Sequence, residues 1–145
     1  MRRGLFSALD VARHVLTYCR NKGKPIANLR LQKTLYFLWI DFYKETGKWL
    51  FAEEFCAWKL GPVITDVYFE YNQNAGLPIR ITEDADLGKR STKVEQITEK
   101  YLSVSVSKLV DKSHEKGHAW DRIYRNGDGD GLAIPYPLIM ELECK

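Results

Sequence analysis

A mainly α, single compact domain of about five to six helices with a small two-stranded β element is the fold class this sequence predicts, on three observations. The 145 residues, 45% hydrophobic and 28% charged, suffice for one enclosed core and for one domain. Through most of the chain apolar residues recur at intervals of three and four, the spacing of an amphipathic helix, between capping residues and glycine or proline stops. Only over residues 49–60 does the period fall to two, and a second short apolar run at 78–82 offers it a companion; strands this short are stable only against helices. No internal repeat or linker composition divides the chain.

Taken in order, Ser7 caps a first helix over about residues 8–21, with Asp10 at its third position and Leu9, Ala12, Val15, Leu16 and Cys19 at helical spacing. Asn21, Gly23 and Pro25 end it, because glycine accepts a left-handed turn and proline cannot continue the hydrogen-bond ladder. Asn28 caps a second helix whose Leu31, Leu35, Leu38, Trp39, Phe42 and Tyr43 form one broad stripe, closed by Gly47. Exposing that stripe would cost roughly 1.5–3 kcal/mol per large side chain, so this helix is central. In the run that follows, Phe55, Ala57 and the stem of Lys59 alternate with Glu54, Cys56 and Trp58 as a strand, and Gly61-Pro62 turns the chain. Thr65 caps a third helix, with Asp66 in its positive first turn, running through Tyr68 and Tyr71 to Gln73 and closed by Gly76 and Pro78. Residues 83–90 read as a solvated loop. Thr92 and Glu95 have the capping-box spacing at the head of a helix bearing Val94, Ile97, Tyr101 and Val104, and Ser103 or Ser105 caps the next, through Leu109, Val110 and His114. A turn around 120–124, a glycine-rich loop at 126–131 and a last turn at 138–142 complete the chain.

A formal charge of +3 is too weak to imply a nucleic-acid or membrane partner without a basic patch, and the basic residues are scattered among acids: Arg2, Arg3, Arg20, Arg30 and Lys33 have Asp10, Asp41 or Glu45 in nearby sequence. Cys19, Cys56 and Cys144 are odd in number and far apart, which predicts neither a disulfide framework nor a structural zinc site and points to a reducing, cytoplasmic setting. Asp10, Arg13 and His14 interrupt the apolar start before it could act as a signal peptide, and no run approaches the roughly 18 apolar residues that span a bilayer.

The sharpest chemical motif is His114-Glu115-Lys116-Gly117-His118, which fits H-E-x-x-H. On a helix the two histidines share a face and hold zinc, with Glu115 as general base and Glu141 or Glu143 as third ligand. Gly117 disfavours that helix by about 1 kcal/mol, and the motif sits at a helix end. The alternative packs His114 near Trp120 or at a helix terminus and leaves His118 to solvent. Residues 126–131, Asn-Gly-Asp-Gly-Asp-Gly, start like a calcium loop but put Pro137 where the closing acid belongs, so a flexible surface turn is expected. Cys56 has no sequence-linked base and reads as a small core residue, and no phosphate-binding glycine motif is present. Lys33, Trp58, Lys59, Pro62, Tyr68 and Tyr71 form an amphipathic set of aromatics with basic neighbours, suited to a protein interface. The competing reading makes the aromatics core and lets the lysines snorkel.

The string from Asn28 to Tyr71 resembles the Panacea, or SocA-like, antitoxin domain, a phage-associated family. Its marks are a helix reading Leu31-Gln32-Lys33 with Leu35-Tyr36, a Gly47-Lys48 turn, a strand ending Ala57-Trp58-Lys59 with Gly61-Pro62-Val63, and a helix opening on Val67-Tyr68. His114 and Trp120 match a second family feature, with Ser113 in place of threonine and Ala119 in place of proline. The resemblance covers about residues 8–142 and attaches no zinc ligation to His114.

What the resemblance implies is an antitoxin that binds and neutralises a cognate toxin protein, with no catalysis and no cofactor. In one branch such a protein resembles a proteolytic adaptor that hands its toxin to a cytosolic AAA+ protease. Some members carry an added DNA-binding domain; this chain is too short for one, so direct DNA binding is not expected. The rivals are a minimal zinc metallohydrolase using the 114–118 motif and a phage-associated interaction module without a toxin partner.

Overall fold

The computed structural model describes residues 4–80 and 82–145; Arg2, Arg3 and Ile81, and the expectations resting on them, lie outside these. Seven α-helices and three short strands occur among the described residues: α1 (Ala8–Asn21), α2 (Asn28–Thr46), β1 (Phe55–Trp58), β2 (Gly61–Val63), α3 (Thr65–Tyr71), α4 (Ser91–Leu102), α5 (Val106–Ser113), α6 (Ala119–Tyr124), β3 (Ala133–Ile134) and α7 (Tyr136–Glu143). The molecule is mainly α, as the periodicity predicts.

The first helix forms as its sequence dictates: the Ser7 side chain accepts a hydrogen bond from the Asp10 amide, and Gly23 takes the left-handed turn at φ 73°. The second begins differently. Its N-cap is Ala27, and Asn28 lies inside the helix, where its side chain is spent on tertiary partners. Every residue of α2 from position 31 to 40 is buried, so what reads as one apolar stripe is a helix enclosed on all sides, ending at Gly47 in the left-handed conformation. Trp39 anchors this core, stacking on Tyr136 of α7 at 4.2 Å and donating its indole N–H to the Phe51 carbonyl at 2.9 Å. Ahead of α1, the backbone of residues 4–6 runs beside 49–50, and the Glu53 carboxylate accepts from the Ala8 amide at the start of α1.

The strands form one antiparallel sheet in the order β2-β1-β3, with Trp58 opposite Gly61 and Cys56 opposite both Val63 and Ala133. Gly61-Pro62 therefore does not make the turn: Lys59 and Leu60 do, and Gly61 and Pro62 belong to β2. The expected second strand at 78–82 does not form in its described residues; Ile79 instead donates its amide to the Ile26 carbonyl. Thr65 is the first residue of α3, whose N-cap is Ile64. At α4 the Thr92–Glu95 capping box is absent, because a 3₁₀ turn at Gly88–Arg90 leads into the helix and Glu95 instead reaches His14. Ser105 caps α5 through the Lys108 amide. Cys56 is half-buried on the outer face of β1 rather than in the core. The glycine-rich loop is anchored: Gly131 donates to the Ala57 carbonyl, and a Cβ on Gly129 would lie 1.7 Å from the Ile123 carbonyl oxygen.

Candidate functional site

The motif residues of α2 act on the open edge of β2. In this register the Pro62 carbonyl and the Ile64 amide point away from β1, and an edge strand with bare polar groups invites pairing with another chain. Here the Lys33 amine donates to the Pro62 carbonyl at 2.7 Å, and the Gln32 side-chain oxygen accepts from the Ile64 amide at 2.9 Å. Gln32 passes its own N–H to Asn28 at 2.9 Å, and Asn28 donates to the Tyr68 carbonyl at 3.1 Å. One buried run of side-chain hydrogen bonds thus fastens α2 to β2 and α3, which gives Gln32 and Lys33 a structural reason to stand in consecutive positions. Gly61 permits the approach: its φ is 113°, and a Cβ there would lie 2.7 Å from Ser113 Oγ and 2.8 Å from Lys33 Cε. Lys33 is fully buried, and burial lowers its pKa to about 7.

Above this junction lies a cavity of about 400 Å³ between α2, the β1–β2 hairpin and α3. Lys33, Trp58, Lys59, Tyr68 and Tyr71 all line it, with Asn28 and Gln32 at its base. Five of the six residues singled out for partner binding therefore meet at one cavity, while Pro62 lies buried behind it. Trp58 and Tyr68 meet edge to face at 4.8 Å and are half-buried; Tyr71 is 7% exposed, and Lys59 is exposed at the hairpin tip. Lys33 does not snorkel to the surface. Leu60 lines the cavity too and is 52% exposed; Phe69, at 6.2 Å from Trp58, is 60% exposed, and Leu77 is 68% exposed just after Gly76 of the rim. These three apolar side chains carry no motif and were not singled out by the sequence; only their exposure reveals them.

The H-E-x-x-H residues do not share a helix. Helix α5 stops at Ser113, His114 is its C-cap, Gly117 reverses the chain at φ 81°, and His118 is the N-cap of α6. His114 stacks on Trp120 at 3.9 Å. Its pKa is lowered, first by burial and then by the Lys33 charge, and its Nε2 is buried without a hydrogen-bond partner. His118 is half-buried and bonds Glu143 at 2.9 Å, which raises its pKa; the same carboxylate accepts from the Ala119 amide at the start of α6. Glu141 is exposed, and no group of three or more His, Cys, Asp or Glu side chains suited to a metal ion occurs among the described residues. Trp120 in turn donates its indole N–H to the Trp58 carbonyl at 2.8 Å, so the second family feature holds the end of β1 in place.

An enclosed aromatic helix, a sheet edge closed by side chains, and a cavity with apolar and basic walls beside exposed apolar residues mark a small, mainly helical domain. Residues 31–121 match the family described as antitoxin SocA-like, Panacea domain, and the chain belongs to that family. It is also 33% identical over 125 residues to Antitoxin SocA of Caulobacter vibrioides (strain NA1000 / CB15N), an alignment covering 76% of this chain and 65% of the relative. The chain thus spans somewhat less than two thirds of that relative's length. No solved structure matches it significantly. No helix among the described residues is long and apolar enough to cross a membrane.

Proposed function

We propose that this chain is an antitoxin, acting in the cytoplasm by stoichiometric binding of a cognate protein toxin and not by catalysis. The observation that carries the reading is that the family match over residues 31–121 takes in the hairpin, α3 and all of α2 but its first three residues, and with them every cavity-lining residue except Asn28 and Leu29. An interface of ordinary size buries about 1,600 Å² in total, far more than a cavity alone, and the exposed Leu60, Phe69 and Leu77 extend the apolar surface as such an interface needs. In this reading Trp58, Lys59 and Tyr68 touch the toxin, while Lys33, Pro62 and Tyr71 hold them in place from behind. Handover of the bound toxin to a cytosolic AAA+ protease is a further part of the proposal, and it is separable by experiment.

The test is co-expression with the product of the adjacent reading frame. That product should arrest growth alone and be harmless with this chain present, and the two should co-purify at one to one. A neighbour that is harmless alone favours the interaction module without a toxin; a neighbour that stays toxic in the presence of this chain sinks the antitoxin reading. Toxin half-life in cells with and without the protease then reads the adaptor role, which requires a longer half-life when the protease is missing.

A further inference from the structure

The charge around the cavity is one-sided. The charged residues lining it are Lys33 and Lys59, and no carboxylate lines it; Asp66 and Glu70, the acids of α3, are exposed and stand outside the lining. Lys59 is at the mouth, carried on the two-residue hairpin tip, whereas Lys33 lies at the floor with its amine tied to the Pro62 carbonyl. Burial leaves Lys33 only partly charged near neutrality, so Lys59 supplies most of the attraction and Lys33 adds to it from below. Between the two cations the walls are the rings of Trp58, Tyr68 and Tyr71 and the side chains of Leu60 and Val63. A volume of about 400 Å³ admits one or two large side chains.

We infer that this cavity is the docking site for a protein partner's segment in which a large apolar side chain stands next to an Asp or Glu. The apolar side chain enters the cavity against the edge-to-face pair of Trp58 and Tyr68, and its neighbouring carboxylate meets Lys59 at the mouth. Charge complementarity selects the acid, since an anion here finds cations and no competing carboxylate. The surroundings select a protein over a small carboxylate: Leu60, Phe69 and Leu77, each more than half exposed, flank the cavity, and only an extended partner covers them. The inference rests on the antitoxin reading for the partner's identity but not for its chemistry.

The experiment uses the full chain with ¹⁵N-labelled tryptophan and three probes. These are a twelve-residue peptide with Asp-Trp-Asp at its centre and Gly-Ser flanks, the same peptide with Asn-Trp-Asn, and free N-acetyltryptophan. The acidic peptide should shift the Trp58 indole N–H signal and bind about tenfold more tightly than the Asn peptide. Lys59→Glu, at an exposed turn position where the fold is indifferent, should remove that preference without changing the melting temperature. Equal binding of the two peptides, or free N-acetyltryptophan binding as well as the peptide, overturns the inference. In the co-expression assay, Lys59→Glu and Tyr68→Ala should weaken neutralisation at least tenfold in antitoxin dose. Neutralisation unchanged in both variants overturns the docking site while leaving the antitoxin reading intact; failure of the unaltered chain to neutralise removes that reading, and the peptide comparison still decides the cavity.

Discussion

Replacing Lys33 by methionine should reverse the stability order of the two proteins between acid and alkaline solution. The folded protein holds the Lys33 amine in a fully buried site with a pKa of about 7, against an ordinary value of 10.5. Between those values the unfolded chain carries a proton that the folded chain has released, so unfolding takes up a proton and stability rises with pH, by about 1.4 kcal/mol per pH unit. Across the window this accumulates to about 5 kcal/mol, absent in the methionine variant. The variant loses one contact, the hydrogen bond to Pro62, and strands that carbonyl at a cost of about 1–3 kcal/mol at every pH. Above pH 10.5 the lysine protein should thus be more stable by that amount. Below pH 7 the variant should lead by about 2–4 kcal/mol, and the curves should cross near pH 8–10. Urea denaturation at constant ionic strength, followed by tryptophan fluorescence from pH 6 to 10, measures both curves. A difference between the two proteins that does not change over that range would refute the reasoning, since it would mean that the amine does not titrate where burial puts it.

Other substitutions probe the same junction and the far side of α1. Gly61→Ala must tolerate φ 113° and a Cβ pressed against Ser113 and Lys33, and should cost about 2–4 kcal/mol, whereas Gly47→Ala, at φ 71° with open space around it, should cost about 1 kcal/mol; thermal melts showing equal losses would mean that the close approach is not made. Trp120→Phe keeps a ring on His114 but drops the hydrogen bond to the Trp58 carbonyl, so about 1–3 kcal/mol should be lost, with amide exchange of residues 58–61 accelerating more than that of α1. For His14, burial pulls the pKa down, but the hydrogen bonds to Glu95 and the Ala85 carbonyl and the charges of Asp84 and Glu95 outweigh it, and the net pKa is raised. The stability it contributes is therefore complete below pH 6.5 and lost as pH rises through the raised folded value. Glu95→Gln should lower the His14 titration midpoint seen by NMR and cost roughly 1 kcal/mol at pH 6, allowing for solvent screening of the 36%-exposed Glu95 side chain, and less at pH 8. An equal loss at both values would rule out the charged pair.

The elements legible in the sequence are those whose signals are local. Ser7 and Gly23 bound α1 because their partners are within a turn of them, and the apolar spacing of α4 follows from one face being buried. The misreadings arise where a distant partner takes a group that local rules assign elsewhere. Asn28 has the chemistry of a cap but spends it on Gln32 and Tyr68; Glu95 has the spacing of a capping box but bonds His14. Gly-Pro signals a turn by composition, yet lies in a strand because Pro62 sits at an edge whose outward carbonyl Lys33 satisfies. The strand β3 is two residues long and exists only through its pairing with β1, so no window of sequence could reveal it. At the site, the aromatic and basic residues were recognisable as a set, but their convergence on one cavity follows from the hairpin register and the α2–α3 crossing, neither of which is encoded locally.

The sheet also has a consequence for synthesis. The strand β1 lies between a neighbour that begins at Gly61 and one that begins only at Ala133, with Tyr136 closing over Trp39 just beyond. While the ribosome is still translating the middle of the message, the outer edge of β1 is unpaired and one face of Trp39 is uncovered. The nascent chain therefore passes through a sticky interval that lasts until β3 and α7 emerge, and a product stalled or truncated before them would be a natural client for chaperones rather than a smaller working domain.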